Sequence, residues 1–236
     1  MPERDPLRRA PMISIILPVL HETERIEEAI ARLRDQDSRN GMEIIVVDGD
    51  GDGTTINAIR DEKVVKLTSK QGRAFQMNRG AAFAHGDILL FLHADTLLPF
   101  RALNLVRAAM DDTRFVAGAF NLGFNTDRGI FRVTELYVSL RTRLTRVPFG
   151  DQAIFIRRDY FEKIGGYGEI PLMEDVELMK RIRKRGDRVM IIPEKVRTSP
   201  RRYEQEGIIY CTLRNWLVQA LYAWGVPAER IEKWYR

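Results

Sequence analysis

The segment GDILLFLHADT, residues 86–96, decides the fold of this chain. Its apolar run, Ile88–Leu92, is short and is stopped by His93, which is typical of a strand buried in the middle of a sheet. The polar triplet His93-Ala94-Asp95 follows at once. An acidic side chain at the end of a buried strand is a candidate for ligand binding.

The same arrangement, an apolar run followed by polar residues, occurs twice upstream. Ile13–Val19 precedes His21-Glu22, and Glu43–Val47 runs straight into the acidic, glycine-rich segment Asp48–Gly53. Because the carboxyl ends of parallel strands meet at one edge of a sheet, we expect the three polar clusters to converge there. This edge is the predicted ligand site.

Helical patterns separate these strands. Ile26, Ile30 and Leu33 recur at helical spacing, a second helix is predicted from about Gly72 to Ala84, and Val64–Leu67 fits another strand. Alternating strands and helices predict an α/β fold with a mostly parallel central sheet and right-handed crossovers, flanked by helices.

The second half of the sequence is less regular. With no internal repeat, low-complexity linker or domain boundary, one domain over residues 1–236 is expected. Strands are predicted at Ala117–Phe124, Ala153–Ile156 and Val189–Ile192, the last closed by Pro193, and helices at about Gly129–Arg146, from Glu174-Asp175, at Ile208–Trp224 and at Pro227–Tyr235.

Composition limits the partners and the compartment. A net charge of +5 favours anionic partners such as phosphorylated substrates, nucleic acid or an acidic membrane surface, although a solvated basic face explains it equally. The single cysteine, Cys211, excludes a disulfide framework. The polar start MPERDPLRRAP lacks the apolar core of a signal peptide, and no apolar run is long enough to span a bilayer. A cytoplasmic location is therefore predicted.

The segment Asp48–Gly53 resembles two known motifs only superficially. An EF-hand loop would need a glutamate at its twelfth position, where Ile59 stands, and no G-x-G-x-x-G follows the first strand. An acidic surface turn remains an alternative. Crowding Asp48 and Asp50 at one strand end favours a ligand-binding role, with Asp48 hydrogen-bonded to a nucleotide base.

Asp95 is the predicted ligand of a divalent metal, Mg²⁺ or Mn²⁺, because a carboxylate can bind a diphosphate only through such a hard cation. The alternative is that Asp95 caps a helix starting near Pro99. For His93, a hydrogen-bonded core position is favoured over metal ligation.

Glu174 and Asp175 begin a predicted helix, where the helix dipole stabilises carboxylates, so they have a structural interpretation. The functional interpretation is that one of them is a general base that takes a proton from an acceptor hydroxyl. Arg73, Asn78, Arg201 and Arg202 are candidates for binding the phosphate groups of a substrate. Arginines form forked hydrogen bonds to phosphate oxygens, and Arg201 and Arg202 lie in a predicted non-periodic loop.

The apolar helix Ile208–Trp224 leaves two roles open. Most such helices belong to a core or a homodimer contact. The other role is a peripheral contact with the inner face of a membrane that carries a lipid-linked acceptor, which the basic charge supports.

Four strings together resemble family 2 glycosyltransferases, over nearly the whole chain. The resemblance implies a GT-A fold, a nucleotide-diphosphate sugar donor, a small-molecule or lipid-linked acceptor, no nucleic-acid partner and inversion at the transferred carbon. It divides the domain into a nucleotide-binding half (1–98), an acceptor and catalytic half (99–200) and a helical segment (201–236). The strings are ISIILPVLHE (13–22), IIVVDGDGDGT (44–54), LLFLHADT (89–96) and GGYGEIPLMEDVEL (165–178).

Longer strings, among them GRAFQMNRGAAFAHGDILLFLHADT (72–96), GDQAIFIRR (150–158) and TSPRRYEQEG (198–207), resemble a bacterial subgroup assigned to arsenosugar biosynthesis. Site roles follow from the resemblance alone. It implies donor contacts for Pro18 and Glu22, base recognition at Asp48, the metal-binding pair at His93 and Asp95, and the catalytic base at Asp175. Asp50, Asp151 and Gln152 are also expected to bind substrate.

The wider family has an aspartate where this chain has His93. Two alternatives therefore stay open. One is a sugar-nucleotide-binding protein without transferase activity, and the other is a nucleotidyltransferase, which also uses a metal at a sheet edge.

Overall fold

The computed structural model describes residues 10–36 and 41–235, so most of the polar N-terminal stretch lies outside the described residues. Within them, one mixed sheet has eight strands: β1 (Ile13–Val19), β2 (Met42–Asp48), β3 (Val65–Thr68), β4 (Ile88–Phe91), β5 (Thr96–Leu97), β6 (Phe115–Phe124), β7 (Phe155–Arg157) and β8 (Arg188–Thr198). Their order across the sheet is β3-β2-β1-β4-β7-β6-β8-β5.

Helices cover both faces of this sheet. They are α1 (Ile26–Arg34), α2 (Thr54–Asn57), α3 (Arg73–Ala82), α4 (Ala102–Asp111), α5 (Ile130–Thr145), α6 (Arg158–Lys163), α7 (Glu174–Lys184), α8 (Arg201–Glu206), α9 (Ile208–Ala223) and α10 (Ala228–Tyr235). A short 3-10 turn at Gly150–Gln152 precedes β7. The α/β class and the parallel arrangement of β1, β2, β3 and β4 are confirmed.

The central strands are apolar on both faces because helices cover both. Along β1, Ile13, Ile15 and Leu17 pack in the layer that contains α1 and α4. Ile16 points the other way and packs with α3 and α7. Such strands read as continuous apolar runs, and this is why the sequence located them well.

Strand direction brings the second half of the chain to the same edge as the first. β7 lies antiparallel to β4, with Leu90 paired to Phe155, so the amino end of β7 adjoins the carboxyl end of β4. The turn Gly150–Gln152 therefore arrives beside His93. The sequence did not predict this reversal within the sheet.

The prediction that Pro193 closes the last strand is wrong. β8 continues to Thr198, and its pairing with β6 shifts register between Phe120 and Asn121. The Asn121 side-chain amide donates to the Pro193 carbonyl at 3.0 Å. Proline has no N–H to give to a regular ladder, so the strand accommodates it where the pairing is irregular.

The loop predicted around Arg201 and Arg202 is also corrected, because both residues lie in α8. The helix predicted near Pro99 begins at Ala102. Arg101 is its N-terminal flanking residue, so the interpretation of Asp95 as its cap is wrong. The short elements α2, α6 and β5 were not predicted, since two to six residues carry too little periodicity.

Candidate active site

A cavity of about 280 Å³ opens at the carboxyl edge of the sheet. His93 and Asp95 reach it from the end of β4, Asp151 from the 3-10 turn, and Glu174 and Asp175 from the start of α7. The structure thus brings together residues that are more than 80 positions apart in the sequence. Arg73, at the first turn of α3, completes this wall.

The acidic pair is held by different partners. Glu174 is buried and pairs with Arg73, with 3.4 Å between Oε1 and Nε. Burial raises the pKa of Glu174, as does the charge of Asp175, while Arg73 opposes the rise. Asp175 is partly exposed, and its Oδ2 accepts the N–H of Gly150 at 2.5 Å. Of the two carboxylates, Asp175 is the more exposed to the cavity.

The backbone before this pair is unusual. Met173 has φ 67°, a left-handed conformation that is uncommon for a residue with a side chain. It turns the chain directly into α7, so that Asp175 is fixed in the first turn of that helix. Such backbone strain often accompanies functional sites.

His93 lines the cavity and is partly exposed. The choice between a hydrogen-bonded core position and metal ligation stays a prediction. Burial and the nearby positive charge of Arg73 lower the pKa of His93 to about 3. The imidazole is therefore neutral at physiological pH, so that one ring nitrogen can donate a hydrogen bond and the other can accept one.

Gly150 separates His93 from Asp175. A Cβ placed on Gly150 would lie 3.3 Å from His93 Nε2 and 3.3 Å from Asp175 Oδ2. These distances are tight, so a methyl group would displace one of the two side chains.

We expect Gly150→Ala to lower the turnover of any reaction that uses Asp175 by about tenfold, because small displacements of a catalytic group are costly. Thermal stability should change little. Gly129→Ala is the matched control, since no atom lies within 4 Å of its added Cβ. Equal turnover in the two variants would contradict this account of the site.

Asp95 lies at the rim of the cavity with an exposed side chain. Its Oδ1 is 3.5 Å from the Thr96 hydroxyl. The surrounding protein partly desolvates the carboxyl group, which raises the pKa of Asp95. The negative charge of Glu22 raises this pKa further, whereas the positive charge of Arg201 lowers it. A cation beside this carboxylate would relieve both effects. Its chemistry therefore fits a divalent metal.

No group of three or more His, Cys, Asp or Glu side chains in residues 10–36 and 41–235 is arranged to hold a metal ion. A metal on Asp95 would take its remaining ligands from a bound substrate and from water. The protein side of such a site offers one carboxylate, with neutral His93 nearby on the cavity wall.

Asp151 is the least satisfied group in the site. Its Oδ1 is buried without a hydrogen-bond partner. Burial and the charge of Asp175 raise the pKa of Asp151 to about 6, against the opposing charges of Arg141 and Arg73. A ligand that donates a hydrogen bond to Oδ1 would satisfy it.

We expect Asp151→Asn to stabilise the protein at pH 7.5, by on the order of 1 kcal/mol, and to have little effect at pH 4. The pKa of Asp151 lies at about 6 in the folded chain, above its ordinary 3.8. Between pH 3.8 and about 6, Asp151 therefore binds more protons in the folded state than in the unfolded state. The free energy of unfolding falls as the pH rises through this range. Denaturant unfolding at both pH values measures this, with the exposed carboxylate variant Glu62→Gln as the control. An equal effect at both pH values would contradict the raised pKa.

The predicted base contact of Asp48 is corrected. Asp48 is fully buried at the end of β2, where Oδ1 accepts the N–H of Asp50 at 3.0 Å and Oδ2 accepts that of Thr55 at 2.8 Å. The carboxylate therefore shapes the loop and is inaccessible to a base. Asp50 in turn accepts a hydrogen bond from the Thr54 hydroxyl at 2.7 Å and is partly exposed.

A second cavity, of about 360 Å³, lies beside this loop, with Glu22, Thr54 and Arg201 in its wall. Glu22 also accepts a hydrogen bond from Arg25 at 3.2 Å. Pro18 is partly buried in β1 opposite Val47. Asp95 lines the first cavity, and the charges of Glu22 and Arg201, which line the second, both act on its carboxyl group.

Two predicted substrate-binding residues are structural. Both amide atoms of Asn78 bond the backbone of Tyr167, each at 2.9 Å, which holds the turn ahead of α7. Gln152 is fully buried, with its amide nitrogen donating to Phe120 and its oxygen accepting from Thr142 and from the N–H of Phe149. Their hydrogen-bonding groups are occupied within the fold.

Of the arginines, Arg73 is half-exposed and lines the first cavity, whereas Arg201 lines the second. Arg202 lines the first cavity, pairs with Glu206 at 3.1 Å and stacks over the ring of Tyr235. Of the three predicted arginines, the structure thus places Arg201 at the second cavity and Arg73 and Arg202 at the first.

The sequence profile described as "Glycosyl transferase family 2" matches residues 14–165, which include β1, β2, β4 and the turn that carries Asp151. The match covers more than half of the chain. The chain belongs to glycosyl transferase family 2.

Relatives and one solved structure agree with this family. "Probable glycosyltransferase YdaM" of Bacillus subtilis is 23% identical over 82% of this chain and 51% of its own. "Uncharacterized glycosyltransferase Rv1514c" of Mycobacterium tuberculosis is 31% identical over 67% of this chain and 63% of its own. The chain thus spans about half to two thirds of the length of these relatives.

The fold is similar to that of "Mannosyltransferase PcManGT from Pyrobaculum calidifontis in complex with GDP-Man and Mn2+", a GT-A-type enzyme. The TM-score is 0.62 at 24% identity, and the likeness covers 80% of this chain and 56% of the other. This likeness supports the GT-A fold of the family 2 chain.

Two features of this family 2 site escaped sequence reasoning. Gln76 donates to the carbonyls of Val19 and Val47, at 2.7 and 2.8 Å, and so ties the ends of β1 and β2. A glutamine on an otherwise apolar helix face was a signal for it. Gly150 gave no signal, because its role depends on two neighbours from distant elements.

Beyond these two residues, the sequence also did not show the wall that α5 and α9 give to the first cavity, through residues such as Tyr137 and Trp216. Among the described residues, no helix has the length and apolar character needed to cross a membrane.

Proposed function

We propose that this chain is an inverting, metal-dependent glycosyltransferase that moves a sugar from a nucleoside-diphosphate donor to an acceptor hydroxyl. The observation that carries the proposal is that His93, Asp95, Asp151 and Asp175 line one cavity, while Glu22 and Arg201, whose charges act on Asp95, line a second cavity beside the Asp48 loop. A donor bound across Asp95 would place its nucleotide on one side and its sugar on the other.

Asp175 acts as the base in this proposal. Its carboxylate takes the proton of the acceptor hydroxyl, and the acceptor oxygen forms a bond to the anomeric carbon. The bond from that carbon to the diphosphate oxygen breaks, and the electron pair leaves with the nucleoside diphosphate. Attack opposite the leaving group inverts the configuration.

The N–H of Gly150 supports Asp175 in this role, because it fixes one oxygen of the carboxylate at 2.5 Å. The other oxygen accepts the N–H of Val176 at 2.7 Å. A fixed base loses no entropy when it meets the acceptor.

The leaving diphosphate requires positive charge. Asp95 would hold a divalent metal, which supplies charge stabilisation to the phosphate oxygens. Arg73 and Arg201 line the two cavities beside it, and their guanidinium groups suit phosphate. The similarity to a mannosyltransferase in complex with GDP-Man and Mn²⁺ supports this arrangement.

Asp151, with its unsatisfied Oδ1, faces the same cavity and is proposed to accept a hydrogen bond from a hydroxyl of the sugar or of the acceptor. The narrower assignment to arsenosugar synthesis in the cytoplasm rests on sequence resemblance alone, and mass analysis of the product formed on an arsenic-containing acceptor tests it.

Incubation with Mn²⁺ and guanosine, uridine or thymidine diphosphate sugars tests the function. The correct donor should raise the unfolding temperature, since a ligand that binds only the folded state stabilises it. The same donor should also be hydrolysed slowly and in a metal-dependent way, with release of nucleoside diphosphate. Release of pyrophosphate would indicate a nucleotidyltransferase, and binding without any release would indicate a binding protein.

A further inference from the structure

Two helices expose an unusual amount of apolar surface. On α5, Val133, Leu136 and Leu140 share one face, and the first two are each 70% exposed. On α9, Leu213 and Leu217 share a face at 58% and 40% exposure. Single exposed leucines are ordinary, whereas a contiguous apolar patch marks an interaction surface.

The two faces form one surface. The rings of Tyr137 on α5 and Trp216 on α9 lie 5.2 Å apart and join them. Both rings also line the cavity that contains Asp175. The exposed apolar surface of α5 and α9, called the α5–α9 face below, is thus continuous with the mouth of the candidate active site.

Charge indicates what covers this face. The single acidic residue of α5, Glu135, is buried and paired with Arg132 and Lys195, and α9 contains no acidic residue. Exposed arginines stand near the end of α5, at Arg143 and Arg146. An apolar face bordered by arginines matches a surface with anionic head groups and an apolar interior.

A second copy of the chain fits this face less well. In an isologous contact this face would pack on its own copy, and because neither helix exposes an acidic residue, Arg143 and Arg146 would find no carboxylate partner on the α5–α9 face of the second copy. Aromatic residues instead suit the boundary between lipid and water, and the exposed Tyr210 and Trp224 occur at the two ends of α9.

We propose that the α5–α9 face docks on an anionic lipid bilayer, so that the cavity mouth meets acceptors held at the membrane surface. The acceptor half of this inference rests on the proposed transferase function, whereas docking itself does not. The helices lie along the surface and do not cross it.

Vesicle binding tests the docking without any need for activity. All three tryptophans, Trp216, Trp224 and Trp234, lie in or beside α9 and α10, so intrinsic fluorescence reports on this face. Vesicles of phosphatidylcholine with about 30% phosphatidylglycerol should shift the emission to the blue and co-sediment with the protein at low salt. Pure phosphatidylcholine should bind it at least about tenfold more weakly.

Two double variants separate the apolar and electrostatic contributions. Leu136→Gln with Leu213→Gln, one change on each helix, should weaken binding to anionic vesicles on the order of 100-fold. Arg143→Gln with Arg146→Gln should lower the ratio of affinities for anionic and neutral vesicles about tenfold. Phe83→Gln, which changes an exposed ring beside α3, is the control and should bind as the unaltered chain does.

Circular dichroism and thermal unfolding of each variant establish that it is folded. Absence of vesicle binding by the unaltered chain would overturn the proposal, and so would equal binding by the leucine variant. A concentration-dependent dimer that the leucine changes dissociate would instead assign the face to a second copy. Release of nucleoside diphosphate without vesicle binding would leave the proposed function standing and refute docking alone.

Discussion

Asp175→Asn should lower the rate of sugar transfer by about 10²–10⁴-fold, the usual contribution of a general base. Asparagine keeps the shape of the side chain and can still accept the N–H of Gly150 through its oxygen, but its NH₂ group then faces the N–H of Val176, so thermal unfolding must establish that the variant is folded. It cannot take up a proton from the acceptor. Donor affinity, measured by thermal shift or calorimetry, should therefore stay nearly unchanged while single-turnover transfer falls.

Glu174→Gln is the comparison for this result, because Glu174 is adjacent, acidic and engaged with Arg73. We expect this variant to lower the transfer rate about tenfold or less, because Glu174 would act only by positioning Arg73. A greater loss in Glu174→Gln than in Asp175→Asn would transfer the role of base to Glu174. Loss of donor binding in Asp175→Asn, equal to the loss of rate, would also refute its assignment.

Asp95→Ala should lower kcat/KM by on the order of 10²–10³-fold and abolish the enhancement of donor binding by Mn²⁺. The carboxylate is the proposed protein ligand of the metal, and without it the diphosphate meets Glu22 with no bridging cation. Titration of the donor with and without Mn²⁺ measures the effect. Asp159→Asn, an exposed carboxylate at the start of α6, is the control.

The same site predicts weak metal binding in the absence of donor. One carboxylate and a neutral His93 are poor competitors for the hydration shell of Mn²⁺ or Mg²⁺. Tight binding of Mn²⁺ to the free protein would mean that further ligands complete the site. That outcome would contradict the proposed dependence of the metal on the donor.

The first half of the fold was predictable because its signals are local. β1 was predicted with its observed bounds, and β2, β3 and β4 to within about one residue. Buried parallel strands are uninterrupted apolar runs, and polar residues mark where each one leaves the core. The shared edge of His93 and Glu22 followed from strand direction alone.

The second half was less predictable because its geometry depends on partners. The sequence contains Ala153–Ile156 as an apolar run, but nothing in it states that β7 runs against β4 and β6. Likewise Pro193 reads as a strand end, and only the irregular pairing with β6 lets β8 continue. Exposure of the α5–α9 face was equally hidden, since an apolar helix reads the same in a core and on a surface.

By itself, therefore, the sequence determined the α/β class, the family and the residue types at the candidate site: carboxylates at Asp95 and Asp175 and arginines at Arg73 and Arg201. Only the tertiary structure decided which polar residues face the cavity. Asp48 and Gln152 have side chains as suitable as those of Asp151, yet their hydrogen bonds are completed inside the fold, whereas Oδ1 of Asp151 has no partner. The physical reason is that hydrogen-bond satisfaction depends on atoms brought together from distant segments, which no local pattern encodes.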